Sequence, residues 1–461
     1  MLNIRKIRED LDISQAQLSE ILNIPQHRLS YLELGKEKPL LEEIELISKT
    51  FDQIRSGAIT IRKKKRIFRE KFGSSIVADN PRRGYNKTKN NETYLQSLKD
   101  LEREFLKKRG NSPVAMSFFA GCGGLCYGIT AAGFNIIASN ELEDSYKTIY
   151  KQNFPNANFL SNDIKDVSDE EIDRILEEYP EIDLFAGGPP CQGFSLTGKR
   201  DVSDKRNTLF SYYLKIASKV KPKVIMMENV KLLTSMKTPE GKLVKDEIIK
   251  TFTEIGYRSQ FFIVNAADYG VAQNRQRVIF IGVRNDLGLD PEIADRICGE
   301  AGENSTNQPY FSFGDAVSDL EFLEAGEKSK SDKYHKAISH PEHVIRWLYD
   351  VPEGRSAHDN EDPSLRPPSG YNTTYKRQVW DEPGATVQTT FGMISGCNNV
   401  HPIATRSLTI REAMRLQSFP DSFKFEGKEG VVRTTIGNAV PPLLAYRIAS
   451  FIKDRYIEKE K

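Results

Sequence analysis

The strongest constraint on the fold is a series of short apolar segments that begins after Pro113 and alternates with amphipathic stretches. In chain order the segments read VAMSFFAG, NIIASNE, IDLFAGG, KVIMMENV, RSQFFIVNA and RVIFIGV. This alternation predicts a mostly parallel sheet with helices on both faces. Ligands bind such open sheets beyond the carboxyl ends of the strands. The residues that follow each segment are therefore the candidates for chemistry.

Length and composition limit the class of protein. A chain of 461 residues is too long for one ordinary core, so we expect two or three domains. No segment is apolar enough for a membrane span or a signal peptide, which predicts a cytoplasmic protein with no membrane partner. The five cysteines are scattered and odd in number, which argues against disulfides. Cys122 and Cys126 lack a second pair at zinc spacing, so no metal is expected.

The N-terminal residues predict a separate helical unit. Ser14 followed by Gln17 is a capping-box pattern, and apolar residues follow it at helical spacing. Pro25 interrupts this pattern, and a second short helix ends at Gly35, a favoured stop. Two short helices across a three-residue turn outline a helix-turn-helix. A helical packing or dimerisation module is the alternative.

A polar and charged stretch, residues 56–112, reads as a linker that contains a helix near Tyr94 to Lys108. Within it, the segment IRKKKRIFREK carries a strong excess of basic residues. This segment could track phosphates, but the charge pattern favours a solvated helix face. The net charge of +2 for the whole chain neither requires nor excludes a nucleic acid partner.

A glycine-rich turn follows the first apolar segment, in FFAGCGGLCYGITAAGF. Gly121, Gly123 and Gly124 would let the backbone approach a cofactor, and the next helix offers free N–H groups. Glu141 could accept hydrogen bonds from two ribose hydroxyls, and Asp163 from the exocyclic amine of an adenine. Nucleotide, flavin and S-adenosylmethionine sites all use such a turn, and each carboxylate alone could equally be solvated.

A cysteine on a stiff turn is the candidate nucleophile. In GPPCQGFS, Cys191 follows two prolines and is flanked by glycines. A structural cysteine usually packs on an apolar face. Here the prolines fix the backbone and the glycines allow another molecule to approach. The pattern therefore favours a presented thiol over a plain turn.

Two further segments bring charge to strand ends. Glu228 closes the apolar run of KVIMMENV, and a carboxylate there is costly unless it has a partner or a chemical role. In QNRQRVIF, the alternating Gln273, Arg275 and Arg277 would point the same way from an extended chain. Arginines in that position could hold a carboxylate or a phosphate. Surface charges on a strand edge are the alternative.

The N-terminal sequence SQAQLSEILNIPQHRLSYLELGKEKP resembles the helix-turn-helix of phage-repressor-type regulators. The second helix of such modules enters the major groove of DNA. The resemblance places Gln15 near the DNA backbone, and it directs Arg28 and three neighbours toward bases or phosphates: Gln26, His27 and Ser30. Pro25 departs from the Ser or Thr cap that many relatives carry.

The ordered motifs FFAGCGG, NE, NDI, GGPPCQGFS, ENV, QNRQR, LTIREAMRLQSFPDSF and GNAVPP resemble those of the cytosine-5 DNA methyltransferases. The resemblance implies an α/β fold, namely a Rossmann-like S-adenosylmethionine-dependent core with a small target-recognition domain, preceded by the all-α helix-turn-helix domain. The expected boundaries are 1–55 for the helix-turn-helix, 56–112 for the linker, 113–285 for the catalytic core, 286–404 for the target-recognition region and 405–461 for the C-terminal part of the core.

The same resemblance assigns roles to single residues. Cys191 would attack carbon 6 of cytosine, and Glu228 would hold or protonate ring nitrogen 3. Arg277 would contact the cytosine carbonyl oxygen, and Arg275 the ring or a neighbouring phosphate. The expected contacts of S-adenosylmethionine are Phe119, Gly121, Gly123, Glu141, Leu142, Asp163, Ile164, Pro189 and Asn438. The family's mobile loop would contact DNA through Ser195 and Arg206.

The sequence thus predicts a type II restriction-modification methylase that acts on a flipped cytosine in a specific duplex DNA sequence. Its helix-turn-helix would bind operator DNA and autoregulate transcription. A companion restriction endonuclease would be a functional rather than a physical partner. Two alternatives are a non-catalytic transcription regulator with the same fold and a tRNA cytosine-5 methyltransferase.

Overall fold

The chain divides into two units, Met1–Asp79 and Asn80–Lys461, in a computed structural model. The structure describes residues 4–11, 15–33, 37–56, 58–59, 85–108, 110–190, 209–238, 241–298 and 308–458. No helix in these ranges is long and apolar enough to cross a membrane.

Helices form the described part of the first unit: Ile4–Asp10 (α1), Gln15–Leu22 (α2), Gln26–Glu33 (α3) and Leu41–Arg55 (α4). A small apolar core holds them together and includes Leu18, Leu22, Leu29, Ile47 and Phe51. In the turn between α2 and α3, Asn23 adopts a left-handed conformation with a φ of 52°. The Ser19 hydroxyl donates to the Ile24 carbonyl at 2.6 Å, which closes the turn. The predicted helix-turn-helix outline is therefore present.

The second unit contains strands and helices in alternation. Its strands are Val114–Phe118 (β1), Asn135–Asn140 (β2), Leu184–Gly187 (β3), Val224–Val230 (β4), Tyr257–Asn265 (β5) and Gln276–Arg284 (β6). Its α-helices are Asn91–Leu106 (α5), Gly124–Ala131 (α6), Asp144–Asn153 (α7), Asp169–Glu178 (α8), Leu209–Val220 (α9), Val244–Glu254 (α10), Phe313–Val317 (α11), Glu342–Leu348 (α12), Ile410–Leu416 (α13), Glu429–Asn438 (α14) and Pro442–Ile452 (α15). Short 3-10 helices cover Ile164–Asp166, Lys231–Ser235, Ala266–Tyr269, Asn285–Leu287, Ala357–Asp359 and Pro363–Leu365, and Lys453–Ile457 is a π-helical turn.

The strands form one mixed sheet in the order β2-β1-β3-β4-β6-β5. The neighbours among β1 to β4 pair in parallel, as the alternation of strands and helices predicts, whereas β6 runs antiparallel to both β4 and β5. Phe118 lies opposite Asn140 and Gly187, so β1, β2 and β3 end at the same level. Arg277, near the start of β6, lies opposite Val230 at the end of β4. The carboxyl ends of four strands and the beginning of β6 therefore share one edge.

The C-terminal helices return to the glycine-rich turn. A Cβ atom on Gly124 would lie 2.5 Å from the Val440 carbonyl oxygen, and one on Gly128 would lie 2.5 Å from the Ala445 Cβ. Only glycine permits this approach of α15 to α6. The two sequence blocks that carry the methyltransferase motifs thus form a single body.

Helix α5 belongs to this body. Tyr94, Leu98 and Leu101 on one face of α5 are buried. The Tyr94 hydroxyl donates to the Arg415 carbonyl at 2.6 Å, and the Asn91 amide donates to the Asp315 carbonyl at 2.9 Å. The second half of the stretch read as a linker is therefore packed against the catalytic unit.

A buried arginine connects several segments of residues 286–404, which the sequence predicts to be the target-recognition region. The Arg377 guanidinium is 1% exposed. It donates to the carbonyls of Leu348 at 2.8 Å, His401 at 3.0 Å and Ala404 at 2.7 Å. Because the described part of this region has few regular elements, such bonds satisfy backbone carbonyls that no helix or sheet pairs there.

Candidate active site

Hydrogen bonds connect the turn after β1 to the residues at the end of β2. Phe119, Gly121 and Gly123 have φ values of 56°, 57° and 96°, so the turn is left-handed at three positions. The Gly121 N–H donates to Glu141 Oε2 at 2.7 Å, and the Glu143 N–H donates to Glu141 Oε1 at 3.0 Å. Each carboxylate oxygen of Glu141 thus has a backbone donor and keeps lone-pair capacity for a ligand.

The Glu141 carboxyl is electrostatically unusual. Glu141 is 7% exposed, and this burial raises the pKa of its carboxyl, although hydrogen bonds from the two backbone N–H groups partly offset the shift. A desolvated carboxylate interacts strongly with any hydroxyl that reaches it. Glu141 is consequently a strong acceptor site at the end of β2.

The residues expected around an adenine lie next to this carboxylate. Leu142 is 57% exposed, which is unusual for a leucine, whereas Ile164 is 3% exposed. Asp163 Oδ1 accepts from the Lys165 N–H at 3.0 Å and caps the 3-10 helix that follows. The Asn140 amide donates to the Asn162 carbonyl at 3.0 Å and ties this loop to β2. The structure therefore brings Glu141, Leu142 and Asp163 to one edge of the sheet.

A second group of residues lies at the ends of β3 and β4. Glu228 Oε1 pairs with Arg277 Nε at 2.9 Å, and each side chain is 13% exposed. A Cβ atom on Gly188 would lie 3.2 Å from Glu228 Oε2, so the chain leaving β3 passes directly over this carboxylate. The Asn229 amide donates to the Pro189 carbonyl at 2.8 Å and fixes that path. Sequence reasoning missed Asn229, whose only signal was its position beside Glu228 in the ENV motif.

Three of the predicted site residues, Cys191, Ser195 and Arg206, lie outside the described residues. The description stops at Pro190, one residue before Cys191. The structure shows that the backbone just before this cysteine is fixed by the hydrogen bond from the Asn229 amide to the Pro189 carbonyl.

Arg275 does not share the environment of Arg277. Its residue is 1% exposed, and its guanidinium donates to the carbonyls of Val387 at 3.2 Å and Gly437 at 2.9 Å. Burial, reinforced by the charge of Arg277, lowers the pKa of Arg275 well below its usual range. Both arginines were expected to point the same way, but β6 begins only at Gln276, so strand alternation does not extend to Arg275. This arginine therefore faces backbone carbonyls rather than an open site.

Asn438, expected at the cofactor, is the last residue of α14 and is exposed. The carbonyls around it are engaged by buried side chains. Gln417 donates to Ile436 at 2.5 Å and to Ala439 at 3.3 Å, while Arg275 holds Gly437. The backbone is therefore fixed on both sides of Asn438.

In the helix-turn-helix unit, Gln15, Gln26, His27 and Ser30 lie on α2 and α3, but their side chains fall outside the described part. The Arg28 guanidinium bonds both Glu43 carboxylate oxygens, at 3.0 and 2.9 Å, so a contact with DNA would have to compete with this ion pair. It also pairs with Glu37.

Comparisons with known proteins agree with the motifs and the fold. The family model described as C-5 cytosine-specific DNA methylase matches residues 114–454, and a helix-turn-helix model matches residues 4–55. The type II methyltransferase M.DdeI of Desulfomicrobium norvegicum is 34% identical over 379 residues, which cover 73% of this chain and 88% of that protein. The type II methyltransferase M.Sau96I of Staphylococcus aureus is 31% identical and covers 96% of this chain and 95% of its own length.

A solved structure shows the same fold. It is an E. coli protein proposed to be a DNA modification methyltransferase encoded within a prophage, with a TM-score of 0.58 and 22% identity over 74% of this chain and 99% of that one. The family matches confirm both resemblances drawn from the sequence. The chain therefore belongs to the C-5 cytosine-specific DNA methylase family, as a DNA cytosine-5 methyltransferase that carries an N-terminal helix-turn-helix.

Proposed function

We propose that this enzyme methylates carbon 5 of a cytosine flipped out of a specific duplex DNA sequence, with S-adenosylmethionine as methyl donor, in a type II restriction-modification system. The observation that carries the proposal is the Glu228–Arg277 pair beside the anchored Pro189 carbonyl, on the same sheet edge as Glu141. Relatives that carry the name type II methyltransferase support the biological setting.

The ends of β1 and β2 fit S-adenosylmethionine. No atom of the described residues, chain neighbours apart, lies within 4 Å of a Cβ built on Gly121, so a ligand has room against this backbone. Glu141 would accept from the ribose hydroxyls, Leu142 would cover one adenine face and Asp163 would accept from the adenine amine. The remaining proposed contacts are Phe119, Gly123, Ile164, Pro189 and Asn438. When bound, the cofactor supplies an electrophilic methyl group.

Cytosine needs activation because its carbon 5 is a weak nucleophile. The Cys191 thiolate would form a bond to carbon 6, and the electron pair of the 5,6 double bond would shift toward carbon 5 and the ring nitrogen 3. Arg277 would donate to the carbonyl oxygen at position 2, and Glu228 would supply a proton or hydrogen bond at nitrogen 3. These contacts offset the charge that develops on the ring.

Release of the product reverses the addition. Once carbon 5 is methylated, a base removes its proton, the electron pair restores the 5,6 double bond, and the bond from carbon 6 to the Cys191 sulfur breaks.

One oxygen of Glu228 is available for the cytosine. Arg277 already binds Glu228 Oε1, so Oε2, which lies beside Gly188, is the oxygen left for the cytosine.

Transfer of a labelled methyl group from S-adenosylmethionine tests this proposal. We expect incorporation into duplex DNA and none into tRNA, and Cys191→Ala should abolish incorporation while DNA binding persists. Preferred labelling of tRNA would favour the tRNA methyltransferase instead. If the intact protein bound DNA without labelling any nucleic acid, the regulator alternative would replace the proposal.

We also propose that the helix-turn-helix binds operator DNA and regulates transcription of the methylase or of a companion nuclease. The compact α2–α3 unit and the family match over residues 4–55 support this role. The test is a gel shift on DNA from upstream of the protein's own gene, with the intact chain and with a chain that lacks residues 1–60. Equal binding by both chains would exclude the regulatory role.

A further inference from the structure

Three buried polar side chains form a connected cluster that the proposed chemistry does not use. Gln273, Arg275 and Gln417, here called the polar clasp, are 0%, 1% and 0% exposed. The Gln273 amide donates to Gln417 Oε1 at 2.9 Å and to the Leu416 carbonyl at 2.9 Å. Polar groups this deeply buried are costly, so their arrangement needs an explanation.

One side of the polar clasp holds the segment that leaves the recognition region. The Val387 N–H donates to Gln273 Oε1 at 2.8 Å, and the Val387 carbonyl accepts from Arg275 at 3.2 Å. Thr386 adds a hydroxyl bond of 2.7 Å to the Asn274 carbonyl. Both backbone groups of Val387 are therefore bound to the residues just before β6.

The other side holds the end of α14. The clasp binds the carbonyls of Ile436, Gly437 and Ala439, on both sides of the exposed Asn438. A Cβ atom on Gly437 would lie 2.4 Å from the Thr389 nitrogen, so the two segments also meet backbone to backbone. A displacement of the recognition segment would consequently be transmitted to Asn438.

The clasp is also close to the proposed base pocket. Arg275 precedes Arg277 by two residues, and Arg277 holds Glu228 at 2.9 Å. Three parts of the molecule thus come close to one another around Arg275: the segment at Val387, the backbone at Asn438 and the Glu228–Arg277 pair.

We propose that Arg275, with Gln273 and Gln417, is a positioning residue that fixes the cofactor-binding segment relative to the base pocket and couples binding of S-adenosylmethionine to binding of duplex DNA. This inference rests on the function proposed above. It replaces a direct role for Arg275 on the cytosine or its phosphate.

The polar clasp makes a distinctive prediction because a single ammonium group cannot span two carbonyls as a guanidinium does. Arg275→Lys keeps the charge and Arg275→Met keeps the approximate volume. Neither variant can form the two simultaneous hydrogen bonds to the carbonyls of Val387 and Gly437. Both variants should uncouple the two binding events, whereas a group that acted only through its charge would be rescued by lysine.

The experiment measures the dissociation constant of S-adenosylmethionine with and without a DNA duplex that the intact enzyme methylates. All proteins in this measurement carry Cys191→Ala, which prevents turnover. With the intact clasp, the ratio of the two constants should differ from one. In both Arg275 variants this ratio should change by about tenfold, toward one. Single-turnover methyl transfer with native Cys191 should fall by up to about a hundredfold, because misplacement by an ångström has effects of that size.

Arg284→Met is the control, since Arg284 ends the same strand β6 at its far end, away from the proposed site, and its guanidinium also binds a backbone carbonyl, that of Lys221 at 2.6 Å. It should lower the melting temperature and leave the coupling ratio unchanged. Gln417→Met, which releases Ile436 and Ala439, provides a second test if the Arg275 variants fold poorly.

The proposal is overturned if the ratio is one in the protein with the intact clasp, if Arg275→Lys keeps the ratio of that protein, or if Arg284→Met changes the ratio equally. Failure of the proposed function would look different, because the enzyme with native Cys191 would then methylate no duplex at all.

Discussion

At the scale of single residues, Glu141 should make binding of S-adenosylmethionine depend on pH. Burial raises the pKa of Glu141, so its carboxyl takes up a proton at a higher pH than an exposed glutamate. Only the ionised form offers all its lone pairs to two ribose hydroxyls while accepting from Gly121 and Glu143. Affinity for S-adenosylmethionine should therefore fall as the pH decreases through the raised pKa of Glu141. Glu141→Gln should weaken binding by about one to two orders of magnitude and abolish this pH dependence.

Titration calorimetry across a pH series measures this effect. Glu143→Gln is the control, because Glu143 is an exposed carboxylate two residues away. Equal losses of affinity in the two variants, or an unchanged pH profile in Glu141→Gln, would contradict the role of Glu141.

Residue-scale patterns also show how far the sequence could lead. The position of the glycine-rich turn and of Glu141 at strand ends could be predicted, because both directly follow apolar strands that the sequence makes evident. The partners of Arg275 could not be identified, since Val387 and Gly437 lie 112 and 162 positions away. The partner of Arg28 could not be identified either, because Glu43 comes from a different helix. Long-range pairing of a charged side chain leaves no local signal.

At the scale of elements, helix α13 depends on a buried ion pair at its start. Glu412 bonds Arg406 at 2.8 and 2.7 Å, and both side chains are fully buried. Burial alone would raise the pKa of Glu412, but the charge and hydrogen bonds of Arg406 hold it well below its usual range. Glu412→Gln should destabilise the protein by about 3 to 5 kcal/mol at neutral pH, because it leaves a buried arginine unpaired.

Chemical denaturation of both proteins measures this difference. The lowered pKa of Glu412 stabilises the fold at pH values above the unfolded pKa of glutamate, so the difference should shrink progressively as the pH falls from that value through the lower pKa of the folded state. Glu342→Gln, which removes an exposed pair with Arg346 on α12, should change the free energy of unfolding by less than about 1 kcal/mol. A small effect at Glu412 would show that Arg406 finds another partner.

A braced turn in the recognition region is a second element with a testable role. Tyr371 is 80% exposed, yet its carbonyl accepts from the Thr374 N–H at 2.8 Å, and the Asn398 N–H donates to the Thr373 carbonyl at 3.0 Å. A rigid turn that presents an aromatic ring is suited to contact DNA bases. Tyr371→Ala should raise the KM for duplex DNA by about tenfold, since a base–aromatic contact contributes 1–3 kcal/mol. The dissociation constant of S-adenosylmethionine should not change.

Steady-state methylation at varied DNA concentration measures this KM. Leu106→Ala is the control, because Leu106 on α5 is another exposed apolar side chain, at 66%. A KM that rose equally in both variants would point to a general loss of folded protein rather than a DNA contact.

At the scale of the whole molecule, the catalytic unit begins earlier in the chain than the first methyltransferase motif. The motifs begin near Pro113, but α5 precedes them and contributes buried Tyr94, Leu98 and Leu101 to the catalytic unit. A chain that begins at Asn80 should keep the melting temperature and methyl transfer of the catalytic unit. A chain that begins at Pro113 should be much less stable, because each lost side chain removes about 1.5 to 3 kcal/mol of burial. Calorimetry and methyl transfer on the two truncated chains test this boundary, and equal melting temperatures would show that α5 is dispensable.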